Sequence, residues 1–365
     1  MAFFFFLLLL VLAGSGCVFL RHPKFGRLPL GERLARIEKS PNYRDGVFHN
    51  ETPTPVMAVK RPPIRSMLKF LFSSRKNLRP KSAIPSVKTD LKALDPKADV
   101  LVWLGHSSLY LQLNGKRILV DPVLFEGAPL SFFNMAFPGT EIYKPEDFPD
   151  IDYLLITHDH WDHLDYKAMK ALKDRIGKVV CGLGVGEHLA YWGFPEEKIV
   201  ELDWNEKSAF TEDFTIDCLP ARHFSGRKFT RNKSLWVGWI IETPAKKIYI
   251  SGDSGYDGHF AKIREKYGKI DLAILENGQY NPDWRYIHML PEDLVKAAKD
   301  IDATRLFTVH NSKYILSTHT WREPLDKIAE NAEKENLPLI TPMIGEVVRI
   351  GDRGQTFQKW WENVK

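Results

Sequence analysis

Cysteine is scarce in this sequence: Cys17, Cys181 and Cys218 are the only three in 365 residues. They are too few and too scattered for a disulfide framework or a cysteine-rich zinc module. A chain of this length buries enough apolar surface to need neither. No Gly-x-Ser-x-Gly elbow, P-loop or glycine-rich dinucleotide fingerprint occurs, which excludes serine-hydrolase, NTPase and Rossmann readings. There is no repeat of fixed period and no low-complexity tract beyond the first twelve residues. A second long apolar run is also missing, so the chain is not polytopic. Hydrophobic residues make up 44% and charged residues 27%, which excludes wholesale disorder and fibrous repeats. Net charge is +5, but residues 60–97 hold eleven Lys/Arg against two acids. That segment is +9 and the remainder −4, so no nucleic-acid partner is expected for the catalytic region.

What is present begins with an apolar terminus. Residues 1–20 carry no charged side chain, and Arg21, Lys24 and Arg27 follow. Twenty apolar residues in a helix just span a hydrocarbon core of about 30 Å. Three readings stand side by side: a retained anchor, a lipoprotein signal, or a cleaved signal or artefact of the gene start. Gly14-Ser15-Gly16-Cys17 is similar to a lipobox, with Gly14 where leucine is usual. The expected location is a bacterial-type inner membrane, or a membrane reached as a lipoprotein, through this segment, with either side of the membrane open.

Residues 21–98 read as a basic, proline-rich arm. Pro41, Pro53, Pro55, Pro62, Pro63, Pro80, Pro85 and Pro96 forbid long helices from residue 40 onwards. Ile64, Met67, Leu68, Leu71 and Phe72 recur at helical spacing beside Arg65, Lys69 and Arg75. This stretch is either a packing arm with solvated charges or an interfacial helix held against anionic lipid.

From Asp99 onward, residues 99–365 read as one catalytic domain. Val100–Leu104 is a buried-strand run, and Asn114-Gly115 predicts a type I′ hairpin between 108–113 and 116–120. Further strands are expected at 153–156, 178–181, 199–203, 213–219, 235–242, 247–251, 271–275 and 305–309. Helices are expected at 166–173, 257–267, from Pro291 to about Lys299, and at 321–333. Many strands with intervening helices predict an α/β or α+β class with a large mixed sheet.

The chemistry is concentrated in histidine and aspartate. The strand ending at Ile156 runs into Thr157-His158-Asp159-His160-Trp161-Asp162-His163-Leu164-Asp165. Three histidines and three aspartates within eight residues are hard to read as a chance surface turn. One such loop can offer two imidazoles to one cation, and a carboxylate with an imidazole to a second. Those ligands suit zinc, iron or manganese rather than calcium. His223, Asp253 and His310 each follow an apolar strand, where loops on a rigid scaffold build sites. Gly252 and Gly255 beside Asp253 permit close backbone approach.

This pattern resembles the metallo-β-lactamase fold superfamily over about residues 99–350. The resemblance implies a four-layer αβ/βα sandwich with a dinuclear site, normally two zinc ions, between its sheets. By that likeness His158, His160 and His223 would hold one ion. Asp162, His163 and His310 would hold the other, and Asp253 would bridge them. Val102-Trp-Leu-Gly-His106, Val120-Asp121-Pro122, Leu235–Trp239, Gly278–Trp284 and Tyr286–Glu292 are similar to the branch containing N-acyl-phosphatidylethanolamine-hydrolysing phospholipase D and ascorbate-phosphate lactonase-like proteins. A departure follows the last core strand. The branch often has His-Trp-Gly there, whereas this chain has His310-Asn311-Ser312-Lys313. Asn311 and Lys313 are expected to alter the pocket wall.

The resemblance implies a hydrolase in which a water bridging two divalent ions attacks a phosphodiester such as that of a phospholipid. A lactonase, or a hydrolase of a small phosphorylated metabolite, is the alternative. A membrane-anchored binding protein on a hydrolase scaffold is the non-enzymatic one, and a di-iron oxidoreductase would need a redox module that has no motif here. His288 matches a pocket histidine of the branch that would polarise a phosphoryl oxygen or protonate a leaving group; its other reading is packing before Pro291. Asp121 and Asp165 are expected to orient ligand imidazoles. Tyr280, Trp284 and Phe224 either line the pocket or pack in the core. His106 is expected to support the site or the fold.

Overall fold

Asn114 and Gly115 both adopt positive φ, 50° and 71°. This closes the tight hairpin their residue types predict. The hairpin belongs to one of two large sheets in the computed structural model, which describes residues 19–58, 77–129 and 134–365. The apolar segment up to residue 18, with Cys17, lies outside the described residues. So does the stretch containing Ile64–Phe72. Among the described residues no helix is long and apolar enough to cross a membrane.

The arm supplies α1 (Gly31–Ile37) and the two-residue pairing of β1 (Tyr43–Arg44) with β2 (Val47–Phe48). Next come β3 (Val100–Trp103), β4 (Leu109–Leu113), β5 (Lys116–Val120), β6 (Ile151–Ile156), α2 (Tyr166–Leu172), β7 (Ile176–Gly182), α3 (Gly186–Tyr191) and β8 (Ile199–Leu202). The second half holds β9 (Lys207–Thr211), β10 (Phe214–Pro220), β11 (Val237–Glu242), β12 (Lys247–Ile250), α4 (His259–Tyr267), β13 (Leu272–Glu276), α5 (Pro291–Ile301), β14 (Arg305–Val309), α6 (Glu323–Glu335), β15 (Leu339–Ile340) and β16 (Val347–Arg349).

The strands form two seven-stranded sheets, β16-β3-β4-β5-β6-β7-β8 and β15-β14-β13-β12-β11-β10-β9. Period-two alternation decides what each sheet face covers. Leu101, Trp103, Leu109, Leu111, Ile118 and Val120 point to one shared core. There they meet Ile216, Cys218, Trp239, Ile241, Ile248, Ile250, Ile274 and Phe307 from the other sheet. The alternate residues Val102, Tyr110, Leu119 and Leu154 turn outward to Ala168, Met169 and Leu172 of α2 and Leu189 of α3. On the far side Ile240, Tyr249, Ala273 and Leu306 pack on Phe260 and Ile263 of α4, Leu294 and Ala297 of α5, and Ile328 of α6. The result is the four-layer αβ/βα sandwich.

Strand direction places the site. β5 and β6 are parallel, and β3 runs with them because β4 is antiparallel to both β3 and β5. By the same logic β10, β12, β13 and β14 share one direction. The C-terminal ends of these strands therefore gather along one edge of each sheet, where ligand sites of such sheets form. Gly252 (φ +60°) permits close packing here, since a Cβ would lie 2.6 Å from the Val237 carbonyl of the same sheet and 3.2 Å from the Thr157 side chain of the other.

The arm is not separate from this core. Ile37, Phe48 and Ile84 are buried in the cluster between the sheets, and Leu91 is buried in the cluster beneath α2. Among the described residues its prolines leave it irregular, as expected, but these residues are part of the same folded body.

Candidate metal centre

The histidines and carboxylates of the metal cluster hang from strand ends. β3 leads to His106, β5 to Asp121, β6 to the 158–163 loop, β10 to His223, β12 to Asp253, β13 ends on Glu276, and β14 leads to His310. The structure brings the seven sequence-selected residues His158, His160, Asp162, His163, His223, Asp253 and His310 into one cluster. His160 Nδ1 lies 2.9 Å from His158 Nε2 and 3.2 Å from His223 Nε2. His163 Nε2 and His310 Nε2 lie 3.6 and 3.3 Å from Asp162 Oδ2. Asp253 Oδ2 stands between the two sets, 3.8 Å from both His158 Nε2 and His223 Nε2. It is 3.3 Å from His163 Nε2 and 3.2 Å from His310 Nε2.

Two donor sets result, each with its ligand atoms within 4.8 Å of one another: His158, His160 and His223, and Asp162, His163 and His310 with His106. The donor chemistry, imidazole nitrogen and carboxylate oxygen, suits a zinc-type cation. His163 Nε2 and Asp253 Oδ1 are buried without a hydrogen-bond partner. Unpaired polar atoms of this kind are costly in a protein interior, and a cation bound between them would satisfy them. The residues fit a metal site.

Protonation follows the same arrangement. Burial, reinforced by the neighbouring imidazoles, pushes His158 well below the usual range. Burial likewise brings His160 down to about 4 and His106 to about 3. Burial opposes charge on His163 as well, but Asp253, Asp162 and Asp121 overcome it and hold His163 well above the ordinary value. His310, also buried, is carried up to about 10 by Asp253, Asp162 and Glu276. Protons there sit where a divalent ion would sit, so cation binding displaces them.

A surrounding set of groups aims the imidazoles. Asp121 Oδ2 is 2.8 Å from His163 Nδ1, and Asp121 also accepts from the Thr157 amide at 2.8 Å. His223 Nδ1 donates to the Ile287 carbonyl at 2.9 Å. His106 Nε2 lies 2.9 Å from Asp162 Oδ2 and stays beside the cluster as a support for that carboxylate. Two arm contacts fix His223: Asn50 Nδ2 donates to its carbonyl at 2.8 Å, and its amide donates to Asn50 Oδ1 at 3.1 Å.

Several expectations are corrected. Asp165 orients no imidazole: its carboxylate accepts five backbone amides, from Leu124, Phe125, Glu126, Lys167 and Ala168. It caps α2 because its position directly precedes the first helical turn. Tyr280 turns away from the pocket, with its hydroxyl donating to Glu323 at 3.1 Å and its ring on His319. Asn311 and Lys313 do not form the pocket wall. Asn311 donates to the carbonyls of Asn277 and Val309. Lys313 is buried behind the site, donating to the Val123 carbonyl at 2.8 Å.

Trp284, Phe224 and His288 do line a cleft of about 380 Å³ that opens onto His160, Asp162, Asp253 and His310. Its walls are largely apolar, with Val56, Met57, Ile287 and Leu316, and Arg231 brings a positive charge. Glu276, which the sequence reading passed over, is fully buried behind this wall. His288 Nδ1 donates to Glu276 Oε2 at 3.0 Å, and His310 Nδ1 lies 3.4 Å from the same oxygen. The signal for Glu276 was available: it ends the apolar run Leu272–Leu275, as His223, Asp253 and His310 follow theirs.

Comparison with known proteins agrees with this geometry. A family model described as a beta-lactamase superfamily domain matches residues 116–311. An uncharacterized protein of Mycobacterium tuberculosis is 36% identical over 332 residues, spanning 89% of this chain and 88% of its own. The N-acyl-phosphatidylethanolamine-hydrolyzing phospholipase D 1 of Caenorhabditis elegans is 32% identical over 273 residues, spanning 69% of this chain and 76% of its own. Among solved structures, the metallo hydrolase Igni18 of Ignicoccus hospitalis shares the fold with a TM-score of 0.53. It has 21% identity and covers 69% of this chain and 97% of its own. With its two sheets, its strand-end histidines and aspartates and these relatives, the chain belongs to the beta-lactamase superfamily as a metal-dependent hydrolase of the metallo-β-lactamase fold.

Proposed function

We propose that this hydrolase is a dinuclear zinc-type phosphodiesterase acting on a substrate with an apolar tail, of the N-acyl phospholipid kind. The observation that carries this reading is the position of Asp253 Oδ2 between the His158/His160/His223 set and the Asp162/His163/His310 set, under one apolar cleft. His158, His160 and His223 would hold one cation, and Asp162, His163 and His310 the other, with Asp253 shared. When bound, two such ions lower the pKa of a shared water towards neutrality and neutralise charge developing on a phosphoryl oxygen.

The chain's own residues do the rest. Glu276 accepts the Nδ1–H of His288, which turns Nε2 to the cleft, where, when it carries a proton, it can donate that proton to a leaving-group oxygen. Arg231, at the rim, attracts the phosphate, while Phe224, Trp284, Ile287 and Leu316 exclude water and accept acyl carbon. The apolar segment 1–20 is read as the element that associates the enzyme with a membrane.

Metal analysis of the purified enzyme tests this, followed by assay on a soluble phosphodiester, a lactone and an N-acyl phospholipid. About two zinc-type ions per chain and cleavage of the diesters are expected. Asp253→Ala is expected to lower both metal content and turnover by more than the roughly hundredfold that losing an outer partner costs. Fewer than one ion per chain, with Asp253→Ala fully active, sinks the dinuclear reading. Activity on the lactone alone sinks the phosphodiester.

A further inference from the structure

The loop between β10 and β11 includes Ser225-Gly-Arg-Lys-Phe-Thr-Arg-Asn-Lys233, with four basic residues and no acid. Phe229 stands in it with 87% of its surface exposed, the most exposed large apolar side chain among the described residues. A single exposed phenylalanine is ordinary. What distinguishes this one is where its loop is braced and what surrounds it.

The base of the loop is tied to the metal-centre loop. The Gly226 amide donates to Asp159 Oδ1 at 2.7 Å, between His158 and His160 in sequence. Buried Arg227 donates to the carbonyls of Asp159 and Leu164, and its guanidinium lies 4.1 Å over the Trp161 ring. Phe229 is thus presented by an anchored loop. Next to it, Lys228 and Arg231 are exposed. Arg231 lines the rim of the cleft.

The apolar terminus enters the domain at this same place. Phe19 packs edge-on against Phe25 at 5.0 Å, and Phe25 against Trp161 at 5.1 Å. The Lys228 ammonium lies 6.0 Å from the Phe25 ring, and Arg227 donates to the Lys24 carbonyl at 3.0 Å. Residues 19–30 add Arg21, Lys24 and Arg27, again without an acid. Arg27 is paired with Glu187. Arg21, Lys24, Lys228 and Arg231 have no carboxylate partner among the described residues.

We propose that this face docks on an anionic lipid bilayer. Phe229 enters the boundary between headgroups and acyl chains, and Lys228, Arg231, Arg21 and Lys24 meet anionic headgroups. The docking sets the mouth of the cleft against the membrane. The proposal rests on the phosphodiesterase reading only in making that membrane the source of substrate.

The test uses the full chain with Phe229→Cys carrying an environment-sensitive fluorophore, and Cys17→Ser removing a competing thiol. Cys181 and Cys218 are buried. A control places the probe at Glu212→Cys, exposed beside the opposite end of β10. Vesicles of phosphatidylcholine with one-third phosphatidylglycerol are expected to blue-shift and brighten the probe at 229, leave that at 212 unchanged, and lose this effect without phosphatidylglycerol. A vesicle-bound protein whose 229 probe still reports water overturns the proposal. So does failure to bind, or an equal response on neutral vesicles.

The double variant Lys228→Ser/Phe229→Ser adds a catalytic readout. Hydrolysis of a soluble diester is expected to be unchanged, while that of vesicle-embedded phospholipid falls at least about tenfold, each basic contact alone counting for roughly fivefold. Equal rates on the vesicle substrate overturn the docking. If neither substrate is cleaved, the phosphodiesterase reading has failed, and the fluorophore still decides the membrane face.

Discussion

Glu276 shows how one side chain can serve two others. It is fully buried, and its Oε2 lies 3.0 Å from His288 Nδ1 and 3.4 Å from His310 Nδ1. Its second oxygen accepts the Met289 amide. A carboxylate held this way fixes which nitrogen of His288 carries its proton and acts on His310 through its charge. Glu276→Gln keeps the volume but loses the charge-assisted bonds. It is expected to lower turnover on a soluble diester by about 10–100-fold. Metal content measured on the same sample separates the two partners: retained metal points to misoriented His288, lost metal to weakened His310. Unchanged turnover and metal content would show that Glu276 only packs. The residue escaped the sequence reading because its one signal, the end of an apolar run, comes with no spacing pattern to set a single carboxylate apart. The 158–163 loop has one, and that density is why the loop was legible.

At the level of elements, the legible parts were those whose burial imposes a period. β3 to β6 and β10 to β14 are apolar runs or strict alternations, and each lies where the sequence placed it to within a few residues. α3, with six residues opening on glycine, and β9, a largely exposed edge strand Lys207–Thr211, offer too little apolar periodicity to read. β15 is only two residues long and is held by parallel pairing with β14 rather than by a pattern of its own. Asp165 was misread for a related reason: within a loop of ligands, a helix cap looks like another ligand support. Its five amide partners belong to α2 and to residues 124–126. Asp165→Ala is therefore expected to cost about 2 kcal/mol of stability, the upper end for a lost N-cap. Its metal affinity should change much less than that of Asp121→Ala, whose carboxylate holds His163. Chemical denaturation and metal titration of the two variants check this, and the reverse order of metal affinities would refute the assignment.

For the whole molecule, the important boundary lies earlier than the change in sequence texture at residue 99. That change is real in composition, because the arm is basic and proline-rich and the following residues alternate into strands. Folding does not respect it. Phe25, Ile37, Phe48, Ile84 and Leu91 from the arm are all buried. Asn50 holds both backbone groups of His223, and Val56 and Met57 form part of the cleft wall. Burial of each large apolar side chain is worth about 1.5–3 kcal/mol. Five of them approach the whole stability of a typical domain, about 5–15 kcal/mol. Removing residues 1–98 is thus expected to abolish cooperative unfolding, metal retention and hydrolysis of every substrate class, soluble or membrane-borne. Removing only residues 1–18 is expected to leave the thermal transition, the bound metal and soluble-diester turnover intact, and to weaken vesicle binding. Circular dichroism, metal analysis and the two assays read each outcome. A folded, active 99–365 fragment would show that the arm is an appendage and that His223 finds its position without Asn50.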